Sequence, residues 1–304
     1  MSPRKSLNDR LATWKISGGF KQTAADILER GGRNKMVLIG FAVIAVVVAL
    51  ALLAPVLPIG SPTEINADPA LAERPPAWNH WFGTDERGRD IFSRVLWGAR
   101  VSLSVGTLAV FFSMMIGVVL GLTAGYFGGK VDYFISGVID LFWTFPAFLL
   151  ALAFAAALGP SLSNVILAIS ISYWAGFARL IRGQALTVRE RQFVEASRAL
   201  GAKNRRIMFT HVLPNCLAPL IVWASIGVAD AITIESSLSF LGVGTQPPTP
   251  SWGYMLQRGI SYLEEAPWIA TFPGVAMLFT ILGFNLLGDG LRDVLDPRMK
   301  GLRR

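Results

Sequence analysis

Residues 195–214 read EASRALGAKNRRIMFTHVLP, a polar, basic stretch lodged between two long apolar runs. Gly201 stands where a helix would end on a residue with positive φ. Leu213-Pro214 leads straight into hydrophobic sequence, and proline suits the first turn of a new helix. The spacing predicts a helix from about 182 to 200, a turn at Gly201 and a second short helix from Lys203 to about Thr210. A new apolar helix is then expected after Pro214. A charged hairpin in this setting reads as a docking surface on a membrane protein.

The rest of the chain supplies that membrane setting. Of its 304 residues 53% are hydrophobic and only 16% are charged, a balance outside ordinary soluble usage. A spanning helix needs about 20 mostly apolar residues, and runs of that length occur at 37–57 and 101–124. Residues 141–178 are uncharged throughout but too long for one crossing, and Gly159-Pro160-Ser161 divides them. Residues 216–240 and 266–288 complete six expected spans in an all-α membrane protein. The first run begins too deep for a secretory signal and ends without an A-x-A-like site, so it is expected to be an uncleaved span.

Lysine and arginine placement orients the chain, because basic loops favour the cytoplasm. Residues 1–35, 182–214 and 289–304 hold eight, seven and five of the 28 basic residues. With six spans all three segments fall on one side, which makes both termini and the 182–214 loop cytoplasmic. The net charge of +8 is thereby explained by topology and anionic membrane lipid. No nucleic-acid partner is expected, since no zinc-finger spacing or RNP-like motif is present. The single cysteine, Cys216, can form neither an internal disulfide nor a cysteine-cluster metal site. Gly129-Lys130 is followed by Val131, and Ala124 stands where a P-loop has its first glycine, so ATP is not bound by that motif.

The spacing of the basic stretch is E-A-S, three residues, glycine, nine residues, then x-x-L-P. It resembles the EAA loop of ATP-binding-cassette (ABC) importer permeases, whose pattern is E-A-A, three residues, Gly, nine residues, I-x-L-P. Ser197 replaces the second alanine and His211 the isoleucine; the latter departure bears on how the stretch before Pro214 packs. The segments Gly83–Asp90, Leu238–Gly242 with Gln246-Pro247-Pro248, and Phe284–Asp293 look like the dipeptide/oligopeptide branch, and within it the second permease subunit. The resemblance covers about residues 37–298. It implies a type I ABC importer permease fold. It also implies an ATPase-coupling loop comprising Glu195, Ala196, Ser197, Arg198, Ala199, Leu200, Gly201, Ala202, Lys203, His211, Leu213 and Pro214.

Three further features stand out. Residues 83–100 alternate charged and apolar positions, which describes an amphipathic helix at the outer interface, with Trp78, Trp81 and Trp97 as interfacial aromatics. The resemblance adds that this element helps to seat a substrate-delivering protein. Gly117, Gly121, Gly125 and Gly129 recur every four residues and predict a helix-packing groove. Asp140, about two turns into the third helix, and Asp230 and Glu235 in the fifth are intramembrane acids, either interhelical hydrogen-bonding groups or part of a transport path or gate.

The expected organisation is a cytoplasmic segment 1–35, a first transmembrane helix 36–58 and a periplasmic segment 59–98 with an interfacial helix. An ABC transmembrane type-1 domain of five helices follows at 99–288, with the coupling loop at 182–214, and then a cytoplasmic tail 289–304. The function expected is the permease of an ATP-driven importer of dipeptides or oligopeptides in the bacterial inner membrane. The partners implied are a second permease, either a homologous subunit giving a heterodimer or another copy of this chain, two ATP-binding subunits that carry ATP and magnesium, and a periplasmic substrate-binding protein. No cofactor is expected on this chain. Import of nickel or another small solute by the same architecture is an alternative, and a secondary transporter is one from another class. An intramembrane enzyme finds no support, since His80 and His211 lie outside the apolar spans and no nucleophile-base pair or metal set is evident.

Overall fold

Asn34, Asp90, Ser161 and Ser251 each turn the chain into a helix by accepting a backbone N–H bond from its first turn. The computed structural model describes residues 31–57, 59–65 and 68–295; most of the 1–35 segment and residues 296–304 lie outside the described residues. The helices are α1 (Lys35–Leu53), α2 (Ile91–Phe127), α3 (Gly129–Thr144), α4 (Ala147–Leu158) and α5 (Leu162–Arg189). They continue as α6 (Gln192–Ala199), α7 (Asn204–Ile207), α8 (Leu213–Phe240), α9 (Trp252–Ile260) and α10 (Trp268–Leu295). Among the described residues, five helical stretches are long and apolar enough to cross a membrane: α1, α2, α5, α10 and the run 204–240 that ends in α8. The sixth crossing of the sequence reading is the α3–α4 pair, bent by 87°. Pro146 causes that bend, because it forces Phe145 out of the helical region to φ −92°, ψ 136°.

The core lies between α2 and α5, the most extensive helix pair, with α8 packed on both. Gly117, Gly121 and Gly125 make that close approach possible. A Cβ on the first two would collide with Phe177 and with the Ala178 carbonyl, and one on Gly125 would lie 2.6 Å from the Arg182 carbonyl. Gly129 does not belong to the groove as expected. A Cβ there would meet nothing within 4 Å, and at φ +54° the residue serves the turn into α3.

The expected interfacial helix is not a separate element. Residues 91–100 form the first turns of the 37-residue α2, about 55 Å long at 1.5 Å per residue. Their face is buried against α9: the Trp252 indole N–H donates to the Val95 carbonyl at 3.0 Å, and Gly98 leaves room for the ring. Residues 83–90 form a tight loop around Asp85, which accepts from the backbone N–H groups of Arg87 and Arg89 and pairs with the Arg89 guanidinium at 2.7 Å. Glu86 reaches Arg258 of α9 at 3.5 Å. The ends of the first and last spans also shift, since α1 stops at Leu53 and α10 continues to Leu295.

Candidate functional site

The basic hairpin is built from both sides of Gly201. α6 ends in a Schellman motif, in which Gly201 N–H donates to the Arg198 carbonyl and Ala202 N–H to the Ser197 carbonyl, with Gly201 at φ +77°. Val194 and Ile207 are fully buried beneath it. Glu195, Ala196, Arg198, Ala199, Leu200, Gly201 and Lys203 face outward, Leu200 at 88% exposure. The outer surface thus mixes charge with exposed apolar groups, as a protein-docking face does.

Two expectations change here. The predicted 182–200 helix is interrupted at Glu190-Arg191, where Arg191 is extended. The Arg189 guanidinium bonds the Gly125 and Tyr126 carbonyls at 3.3 and 3.4 Å, so a contact with α2, invisible in the local sequence, fixes the turn. The second short helix does not stop near Thr210. It passes through a π-helical turn, Met208–Val212, directly into α8, with Leu213 and Pro214 in the first turn. The two departures from the EAA pattern meet: Ser197 Oγ lies 3.4 Å from His211 Nε2.

The hairpin is tied to α2 by a residue that sequence reasoning missed. Tyr126 Oη donates to Asn204 Oδ1 at 2.9 Å, and the Arg198 guanidinium lies over the Tyr126 ring, 6.0 Å from its centroid. Tyr126 closes an apolar run, and nothing local marks its reach to residue 204.

The three intramembrane acids part company. Glu235 is wholly buried and accepts from Ser239 at 2.8 Å, from Ser102 of α2 at 3.1 Å and from Ser236 at 3.4 Å. In this structure it lines no open path, and its geometry is the interhelical one. Asp230 is exposed on the other side of α8 and accepts from the Tyr173 hydroxyl at 2.6 Å. Asp140 lies near the end of α3 rather than two turns in, because α3 starts at Gly129. It pairs with Arg179 at 2.6 Å. Asp132 and Arg182 form a second pair between α3 and α5; with Asp140 they border a 540 Å³ cleft.

Residues 117–301 match the family model described as "Binding-protein-dependent transport system inner membrane component". The chain belongs to that family. The permease is 46% identical over 268 residues to the dipeptide transport system permease protein DppC of Alkalihalophilus pseudofirmus, covering 88% of each chain. It is 45% identical over 225 residues to the glutathione transport system permease protein GsiD of Pectobacterium atrosepticum, covering 74% and 75% of the two chains. A solved structure of the MetNI methionine ABC transporter, in an inward-facing conformation, aligns with a TM-score of 0.55 at 19% identity. The alignment covers 67% of the permease and 97% of that chain. The fold is that of type I ABC importer permeases, and the permease is a multi-pass inner-membrane transport subunit rather than an enzyme. Membership of the family implies ATPase and substrate-binding partners. Among the described residues, no group of three or more His, Cys, Asp or Glu side chains could hold a metal ion.

Proposed function

We propose that the permease forms half of the membrane channel of an importer for dipeptides or oligopeptides, paired with a second, homologous permease. Two ATPase subunits dock on the 195–214 hairpin and carry ATP and magnesium, and a binding protein delivers substrate from outside. Both termini are cytoplasmic. The relatives' transport of dipeptides and glutathione supports a peptide substrate. The observation that carries the coupling role is the exposed hairpin itself, held on buried Val194 and Ile207 and linked through Tyr126–Asn204 to α2. Closure of the ATPases moves the hairpin, and the rigid helices α2, α5 and α8 carry that motion to the outer gate.

Gly201 gives a sharp test, because a Cβ there would meet nothing within 4 Å. Gly201→Asp costs about 1–3 kcal/mol of backbone strain at positive φ, yet places a carboxylate in the middle of the docking face. The variant is expected in the membrane at near-normal levels without ATPase subunits, read by affinity purification of the complex. Full ATPase recovery with normal transport would sink the coupling role.

A further inference from the structure

One exposed face of the bundle carries charged and aromatic groups at membrane depth. Asp230 is exposed on α8 and takes the Tyr173 hydroxyl on one oxygen. Arg179 and Asp140 form a pair whose side chains remain 45% and 67% exposed. Between these two levels lie Trp143 and Trp223, which both approach Gly176: a Cβ on that glycine would stand 3.1 Å from the Trp143 ring and 3.7 Å from Trp223 Nε1. The Arg179 guanidinium also lies over Trp143, 4.5 Å from the ring centroid.

Such groups do not face lipid. A charge in the hydrocarbon region costs several kcal/mol and is found facing a bundle interior or a water-filled cavity. Their heights are set by α5, on which Tyr173 and Arg179 are six residues apart, about 9 Å at 1.5 Å per residue. An extended peptide spans about 3.3–3.6 Å per residue, so two or three residues bridge the two levels.

We infer that Asp230, Trp223, Trp143 and Arg179 form a ladder on the translocation path that reads short zwitterionic peptides by both ends. The inference rests on the peptide-import reading above. The ammonium group meets the Asp230 carboxylate, and the carboxylate meets the guanidinium fork of Arg179, which suits a planar two-oxygen partner. The indoles supply a flat surface for the intervening atoms. α5 runs from its outer end at Leu162 to its cytoplasmic end at Arg189 in the proposed topology, so the peptide passes carboxylate first. Each charge already has a protein partner, Tyr173 or Asp140, and exchange with it keeps the peptide from being held too tightly to leave.

The test uses the complete importer (this permease, its partner permease, the ATPases and the binding protein) in proteoliposomes, with radiolabelled alanyl-leucine as the probe. Asp230→Asn and Arg179→Gln are each expected to lower uptake about tenfold while both permeases and the ATPases still purify together. Arg179→Lys, which keeps the cation but loses the two-pronged fork and the stacking on Trp143, is expected to fall between Arg179→Gln and the unmodified complex. Uptake within twofold of the unmodified complex in Asp230→Asn and Arg179→Gln overturns the ladder. Loss of the partner permease from either variant also overturns it, because the side chains then hold an interface. Failure of the unmodified complex to take up the dipeptide at all would instead remove the peptide reading, and the ladder with it.

Discussion

Glu235 is a carboxyl group with no route to water and four hydroxyl neighbours, Ser239 and Ser236 on its own helix and Ser102 and Ser251 from elsewhere in the fold. A hydroxyl that loses its acceptor in such a place costs about 1–3 kcal/mol. Glu235→Leu should therefore lower the thermal midpoint of the detergent-purified complex by several degrees, whereas Glu235→Gln, which keeps an acceptor in the same shape, should lie close to the unmodified protein. Equal losses for the two would rule out the hydroxyl cage as the reason for this residue. Tyr126 poses a different question, since it reaches from the end of α2 to the hairpin. Tyr126→Phe removes the bond to Asn204 but keeps the ring under Arg198. A single hydrogen bond is worth about 0.5–1.5 kcal/mol, so transport per complex should fall about two- to tenfold with assembly intact. Unchanged transport would show that the motion of the hairpin reaches the span by another route.

Between elements, the α2–α5 contact depends on backbone touching backbone. Gly121 faces the carbonyl of Ala178, a group that cannot swing aside. Gly121→Ala must push the helices apart, at the roughly 1–3 kcal/mol typical of overpacking. Gly137→Ala on α3, where a Cβ meets nothing, should instead be neutral or stabilising by up to about 1 kcal/mol; melting of the two variants side by side checks the ordering. This groove was legible from a four-residue glycine period, as were the apolar spans, the break at Gly159-Pro160 and the Gly201 turn, because each is written in local composition. The merging of residues 91–100 into α2 was not legible, since its cause is Trp252, more than 150 positions away. The α3–α4 bend is local as well, since Pro146 stands inside the uncharged run 141–178 that Gly159-Pro160-Ser161 alone was expected to divide. The candidate site divides the same way: the hairpin's turn could be read from spacing, whereas Tyr173 and Arg179 became partners of Asp230 and Asp140 only through helix packing.

For the molecule as a whole, orientation is the property on which the ATPase side, the binding-protein side and the direction of the ladder all depend. Three basic segments with eight, seven and five Lys and Arg residues lie on one side only if the bent α3–α4 pair counts as a crossing. If that pair instead dips in and returns, the chain crosses five times and the hairpin faces away from residues 31–35. Cysteine labelling separates these cases. Cys216 is buried, so a Cys216→Ser background removes it without touching the surface. In that background Lys203→Cys, at an exposed position, should react with a membrane-impermeant maleimide only after the cytoplasmic face is opened. Glu64→Cys, exposed in the segment before α2, should react in intact cells or spheroplasts. Labelling of position 203 from outside would reverse the topology and remove the ATPase-docking role of the hairpin. Labelling of both positions from one face would show that an even number of crossings lies between residue 64 and the hairpin, and that α3–α4 is re-entrant.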